Sequence, residues 1–322
     1  MVPAMSTAPS SPAVSVVVAT HDRPARLERL LDALAAQDLG REAYEVVVVD
    51  DASREPTTAL LAQRERAGAV RTLRTQEARG PAHARNLGWR AARGALVAFT
   101  DDDCVPARGW LTAGLAAHRR APGAVVQGRT EPDPQDARQA GPFSRTVDIR
   151  ARSPQLETCN VFYSRELLEA LDGFDERFGP TPGGEDVELG WRATEAGRAV
   201  VFAPAALVHH AVEDLGPVGA LRFATRWAGS VRTFALHPQA RVTLHKGLFW
   251  NAWHYLLVRS LAALALPRPL RFLLIGRHLW VMRARAARLG AGNRAIPFLL
   301  LRDAVETASV LRAGVHHRTP VI

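Results

Sequence analysis

The sequence predicts an α/β protein: an open, mostly parallel sheet flanked by helices, followed by a helical, basic extension. Two continuous apolar runs, VSVVVAT from Val14 and EVVVVD ending at Asp50, have the composition of strands buried on both faces. Between them, from Pro24 to Asp38, Leu27, Leu30, Leu31 and Leu34 recur on one helical face. The same strand and helix alternation then carries on to a third apolar run, ALVAFT, which is the pattern of a parallel sheet.

The intervening elements follow in order. A helix is expected at 57–67, a short strand at AVRTLRT and a helix at 81–93, opened by Gly80 and Pro81. After Trp110 the alternation loosens. AVVQG reads as a strand, 131–156 as a Pro/Gln/Arg-rich loop, and TCNVFY leads into a helix beginning near Ser164. GPTPGG reads as a flexible glycine turn before a helix from Glu185 to Glu195, and beyond Pro204 the chain is expected to be helical. Pro267 and Pro269 divide two apolar helical stretches, LFWNAWHYLLVRSLAALAL and LRFLLIGRHLWVM, which form either a hairpin lying on a bilayer or a buried pair. There is no internal repeat.

With 322 residues, 47% hydrophobic and 23% charged, the chain is long and apolar enough to bury a substantial core, which excludes disorder of the whole. Cys104 and Cys159 have no metal-site spacing and form no disulfide framework, so a reducing compartment is expected. The segment MVPAMSTAPSSP lacks the charge and apolar run of a targeting signal and reads as a disordered tail, 1–12. No stretch is apolar enough to span a membrane simply, because Arg259, Arg268 and Arg271 interrupt the greasiest region.

The net charge of +9 is unevenly spread. Residues 1–214 carry 25 basic against 30 acidic side chains, and residues 215–322 carry 16 against 2. The basic part also holds Trp227, Trp250, Trp253 and Trp280, and indole mixed with arginine suits an anionic membrane interface. Nucleic acid is the rival partner, but no nucleic-acid-binding motif accompanies the charge, so none is expected.

Functional side chains of open parallel sheets gather beyond the carboxyl ends of the strands. Here those exits read Thr20-His21-Asp22-Arg23, Asp50-Asp51 and Asp101-Asp102-Asp103. Three adjacent carboxylates repel one another unless a cation joins them, and their oxygens are the ligands that Mg²⁺ or Mn²⁺ prefers. Asp50 is placed to accept from a base or ribose, whereas Asp51 and Ser53 also read as a turn cap. Neither GxGxxG after the first strand nor GxxxxGK[ST] is present, so phosphate must be held by metal and arginine. ARGPAHARNLGWRAARG supplies Arg79 and Arg85 near a helix N-terminus, where exposed amides favour anions.

THDRP, VVDDAS, RGPAHARNLG, FTDDD, GFDERF and GGEDVELGWR, in that order over residues 14–210, resemble glycosyltransferase family 2. The resemblance implies a GT-A fold, a nucleotide-diphosphate-sugar donor and inversion at the anomeric carbon. It assigns Thr20, Asp22 and Asp50 to the nucleotide, with Arg23 and Asp102 at the same strand exits, and Arg79 or Arg85 to the uracil or phosphates. Asp101 would reach the ribose or metal, and Asp103 would bind the Mg²⁺ or Mn²⁺ bridging the diphosphate. Asp186 matches the general base, Glu185 orients it or holds acceptor, and a further metal ligand falls at His209 or His210, with His209 the first candidate. Trp191 and Arg192 either rim the acceptor cleft or, for Trp191, belong to the core. The expected domains are a catalytic GT-A domain at 13–214 and a helical, membrane-associating extension at 215–322.

Single displacement needs a carboxylate to take the acceptor proton and positive charge beside the leaving diphosphate, which agrees with these roles. His21-Asp22 replaces the family's frequent aromatic-Asn pair, so UDP and dTDP sugars both remain open. The processive QxxRW signature is matched only by Phe223-Ala224-Thr225-Arg226-Trp227, so addition of one hexose or deoxyhexose is expected. The expected setting is cytoplasmic, peripheral to the inner membrane face, with a glycan or lipid-linked acceptor of the cell envelope. A sugar nucleotidyltransferase and a non-catalytic, membrane-docked assembly protein are the alternatives.

Overall fold

The computed structural model describes residues 11–180 and 183–322. Most of the expected N-terminal tail, and Thr181 and Pro182 of the glycine turn, lie outside the described residues. The chain divides into two compact units, each built from discontinuous segments.

The first comprises the described part of Met1–Glu131 with Asp148–Phe174 and Arg192–His210. Its elements run β1 (Val14–Thr20), α1 (Pro24–Ala35), β2 (Tyr44–Asp50), α2 (Thr57–Arg66), β3 (Arg71–Arg74), α3 (Pro81–Ala91), β4 (Leu96–Phe99), β5 (Cys104–Pro106), α4 (Trp110–Arg120) and β6 (Val125–Pro132). β7 (Ser144–Arg145) belongs to the second unit, and β8 (Val161–Ser164) and α5 (Arg165–Ala170) return to the first. α6 (Glu185–Glu195) contributes to both units, and β9 (Val200–His210) closes the first.

Eight strands form one sheet in the order β3-β2-β1-β4-β8-β6-β9-β5. β3, β2, β1 and β4 are parallel, and β8 then pairs antiparallel with β4 and β6. The apolar runs decide the centre: Val16, Val17, Val18, Val47, Val48, Val49, Val97 and Ala98 are fully buried. Leu27, Leu30, Leu31 and Leu34 of α1 are buried as their spacing requires. Ser164 caps α5 by accepting from the Leu167 amide at 3.2 Å.

One expectation is corrected. Beyond Pro204 the chain does not turn helical but continues as β9 to His210, pairing antiparallel with β5. VVFAPAALVHH shows no alternation, and its proline masked the strand; Pro204 is accommodated at an exposed position.

A buried polar cluster locks the antiparallel half. Asn160 accepts from Trp110 Nε1 at 2.8 Å and donates to the carbonyls of Arg129 and Ala206 at 2.8 and 2.9 Å. Gly128 lies against it, and a Cβ there would come within 2.3 Å of Asn160 Oδ1.

The second unit comprises Pro132–Val147, Asp175–Trp191 and Ala211–Ile322. It holds the two-stranded β7/β10 ribbon, with β10 at Glu213–Asp214, then α7 (Gly216–Thr225), α8 (Val231–Leu236), α9 (Ala252–Ala262), α10 (Arg268–Arg288) and α11 (Ile296–His316). Val231, Phe234, Leu244 and Val310 form one core, and Met282, Ala286 and Leu299 another. Trp191 packs on the first of these, which is the core alternative raised for it. The stretches either side of Pro267 form α9 and α10, and Pro267 stands at the N-cap of α10. Among the described residues, no helix is long and apolar enough to cross a membrane.

Candidate active site

The carboxyl ends of β1, β2 and β4 place their acidic exits side by side, because parallel register pairs Thr20 with Asp50 and Val17 with Phe99. Asp101 is partly exposed, whereas Asp102 and Asp103 are buried. Burial pushes the Asp102 carboxyl up to about 6, with Asp103 and Asp101 adding to the rise and Arg23 and Thr20 opposing it. Thr20 Oγ1 donates to Asp102 at 2.8 Å, and Arg23 Nη1 lies 3.0 Å from oxygens of both Asp102 and Asp103. Arg23 therefore supplies positive charge where three carboxylates converge. Arg85, itself buried, donates to Asp101 at 2.8 Å across the Phe174 ring.

The β5–β9 pairing sets Cys104 opposite His210 and Val105 opposite His209. His210 Nε2 consequently lies 3.5 Å from Asp103 Oδ1, and ligand atoms of Asp103, Cys104 and His210 all fall within 4.8 Å of one another. The histidine brought beside Asp103 is His210 rather than His209, because successive strand side chains point to opposite faces. Burial and the Asp103 charge push the Cys104 thiol well above its ordinary range, so it stays neutral. A carboxylate and an imidazole facing one another fit the oxygen and nitrogen preference of Mn²⁺ or Mg²⁺. Cys104 was missed as a neighbour of this cluster because the strand pairing that brings it to His210 has no local sequence signal.

Other expected donor contacts are engaged by the protein itself. Asp50, buried, pairs with Arg74 and accepts from the Ser53 amide at 2.9 Å. Asp22 accepts from the Arg54 backbone amide at 2.7 Å and its guanidinium at 2.9 Å, and the Arg54 contacts hold its carboxyl below the usual range. Asp22 and Ala52 both adopt left-handed backbone, at φ 53° and 59°, and the Asp22 amide donates to Ser53 Oγ at 3.0 Å, which ties the two exits together. The amides at the start of α3, expected to meet phosphate, instead meet Asp51: its carboxylate accepts from Arg79 N at 3.0 Å and Gly80 N at 2.7 Å. The Arg79 side chain reaches His83 at 3.3 Å.

In the second unit, Glu185 and Asp186 open α6. Glu185 is buried and accepts from the Gly183 amide at 2.8 Å, and half-buried Asp186 accepts from the Val187 amide at 2.9 Å. Gly184, at φ 100°, is required, since a Cβ would stand 2.7 Å from Ser230 Cα. A carboxylate in the first turn of a helix is stabilised in its ionised form by the peptide dipoles. Arg192, in the first unit, donates to the carbonyls of Leu171 and Gly173, so it clamps that loop.

The family model described as Glycosyl transferase family 2 matches residues 15–170, and that described as Glycosyl transferase family group 2 matches residues 147–286. Glycosyltransferase AglE of Haloferax volcanii is 27% identical over 212 residues, covering 64% of this chain and 69% of that protein. Pre-mycofactocin glycosyltransferase of Mycobacterium tuberculosis is 32% identical over 65% of this chain and 44% of its own length. Validoxylamine A glucosyltransferase of Streptomyces hygroscopicus subsp. jinggangensis is 34% identical over 56% of this chain and 51% of its length. The match thus spans about half the length of the latter two. Among solved structures, mannosyltransferase PcManGT from Pyrobaculum calidifontis, in complex with GDP-Man and Mn²⁺, superposes with a TM-score of 0.59 at 23% identity over 96% of this chain and 88% of that one. S. aureus TarS 1-349 in complex with UDP-GlcNAc gives 0.54 at 18% identity, over 95% and 91%. These likenesses establish the GT-A fold.

Proposed function

The chain belongs to glycosyltransferase family 2, and from that premise we propose that it moves one sugar from a nucleotide-diphosphate donor to an acceptor hydroxyl by a single inverting displacement. The observation that carries the reading is the convergence of Asp101, Asp102 and Asp103 with Thr20, Arg23, Arg85 and His210 at the carboxyl edge of the sheet. The donor is a hexosyl or deoxyhexosyl nucleotide, with UDP or dTDP as the first candidates; the bound GDP-Man of PcManGT adds GDP.

In the proposed reaction the acceptor oxygen attacks the anomeric carbon, the bond from that carbon to the diphosphate breaks, and the acceptor proton passes to the Asp186 carboxylate. Asp103 and His210 are the residues that would hold Mg²⁺ or Mn²⁺, which when bound offsets the charge growing on the leaving diphosphate. Thr20 orients the Asp102 carboxyl, and Arg23 holds Asp102 and Asp103 together against their mutual repulsion. Arg85 holds the Asp101 carboxylate, and Asp22, Asp50 and Asp51 brace the loops that would receive the nucleotide through Arg54, Arg74 and the start of α3. Glu185, committed to the Gly183 amide, positions the start of α6 and hence Asp186. The excess of basic over acidic side chains in residues 215–322, 16 against 2, supports a peripheral site at an anionic inner membrane face, and with it a lipid-linked or envelope glycan acceptor.

A thermal-shift panel of UDP, dTDP and GDP sugars, with and without Mn²⁺, tests the reading, since a ligand of the folded state raises the midpoint by mass action. One sugar nucleotide stabilising the protein in the presence of metal, with the nucleoside diphosphate released on turnover, is the expected result. Stabilisation by nucleoside triphosphates alone, with pyrophosphate as product, would replace the transferase with a nucleotidyltransferase. No response to any nucleotide would favour the non-catalytic alternative.

A further inference from the structure

The α9–α10 hairpin carries apolar side chains that the described residues leave uncovered. His278, Met282 and Ala286 turn one side of α10 inward, at helical spacing. Around the rest of the helix Leu270, Phe272, Leu273, Leu279 and Trp280 are exposed, Phe272 and Trp280 at 70%. Leu261, Leu264 and Leu266, at the end of α9 and in the connection, extend this surface, and every residue from 264 to 270 is exposed. Such a run of large apolar side chains is not incidental surface.

The charge says what covers it. Between Asp214 and Asp303 the sequence contains no acidic residue, and Arg268, Arg277 and Arg283 stand exposed on the same hairpin. A second copy of this acid-free face would be repelled by the first, and nucleic acid would leave the leucines in water. Arginine beside leucine, phenylalanine and tryptophan matches the depth profile of an anionic bilayer surface, with phosphates outside and acyl chains below. Among the described residues, no helix is long and apolar enough to cross a membrane.

We propose that the α9–α10 hairpin is the membrane-binding element, with Leu270, Phe272, Leu273 and Trp280 entering the acyl boundary of an anionic leaflet and Arg268, Arg277 and Arg283 pairing with lipid phosphates. This deepens the peripheral location proposed above and does not depend on the transfer chemistry.

The test is co-sedimentation of the full chain with phosphatidylcholine vesicles, with and without phosphatidylglycerol, at low and high salt. The wild type is expected to sediment only when phosphatidylglycerol is present, and less at high salt. Phe272→Ser with Leu273→Ser should weaken that binding by more than about tenfold. Arg268→Gln with Arg277→Gln should weaken it by on the order of fivefold per charge removed. Independently of those variants, the emission of Trp280, taken as the difference from Trp280→Phe, should shift to the blue on adding phosphatidylglycerol vesicles. A wild type that stays in the supernatant overturns the membrane location itself. A wild type that sediments while the apolar variant binds equally well, and Trp280 emission stays unchanged, overturns the hairpin as the element. A dimer in light scattering that the apolar variant dissociates, without vesicle binding, gives the face to a second copy and also overturns it.

Discussion

His210 Nε2 lies 3.5 Å from Asp103 Oδ1, joining the last residue of β9 to the third aspartate after β4. Neither residue is near the other in sequence, and the antiparallel β5–β9 pair is what sets them together. If the two hold a divalent ion, Asp103→Asn and His210→Ala should each weaken Mn²⁺-dependent donor binding by roughly tenfold to a hundredfold. His209→Ala should change it little. Calorimetric titration of the donor with and without Mn²⁺ checks this, and an equal loss from His209→Ala would refute the assignment of His210.

Asp186→Asn removes the proposed proton acceptor while keeping the side chain's shape and its bond from the Val187 amide. Transfer should fall by about 10²- to 10⁴-fold with donor affinity nearly unchanged. Parallel measurement of turnover and donor binding decides it. A comparable loss in both would assign Asp186 to donor binding.

Asn160→Ala should destabilise the protein by about 3 kcal/mol, because Trp110 Nε1 and the Arg129 and Ala206 carbonyls lose their buried partner. Denaturant titration measures the change. A difference within about 0.5 kcal/mol of wild type would show that this cluster does not hold the antiparallel strands.

Glu157 predicts a pH dependence of stability. Burial raises its carboxyl above the ordinary value, outweighing the bonds donated by Ser153 Oγ and Gln127 Nε2, both at 3.0 Å. The folded state therefore holds this proton to higher pH than the unfolded chain does. Stability falls as pH climbs from the ordinary glutamate value through the raised folded one, then levels. Glu157→Gln lacks that proton, so its melting midpoint should gain on the wild type across the same interval. Melting curves from pH 4 to pH 8 in a common buffer series would show a gap that widens with pH; a constant gap would mean that Glu157 does not titrate there.

Asp51→Ala should lower stability by about 1–2 kcal/mol, since the Arg79 and Gly80 amides lose their acceptor. The thermal midpoint reports it. A full loss of donor binding with no change in midpoint would show instead that Asp51 faces the nucleotide.

The order of the first strands and helices was legible because each is decided by neighbours in the chain. Val16 to Val18 and Val47 to Val49 announce buried strands by composition alone, and the leucines of α1 announce their face by spacing. The acidic exits could be found for the same reason, as each is a short run directly after an apolar strand, and the family resemblance rests on such runs. The end of α6 at Glu195 and the split between α9 and α10 at Pro267 were equally local. What the sequence determined, then, is the set of elements, the carboxylates at their ends and the concentration of basic charge beyond residue 214.

Only the tertiary structure decided which of these side chains meet. β9 carries no alternation, so its pairing with β5, and with it the choice of His210 over His209, arises from hydrogen bonding between distant strands. Arg74 with Asp50, Arg54 with Asp22 and Asp51 with the start of α3 likewise join separate elements. That Leu270, Phe272, Leu273, Leu279 and Trp280 of α10 stay exposed became visible only once packing had selected His278, Met282 and Ala286 for burial. Local pattern encodes what a segment is; partners depend on register and packing, which no single window of sequence contains.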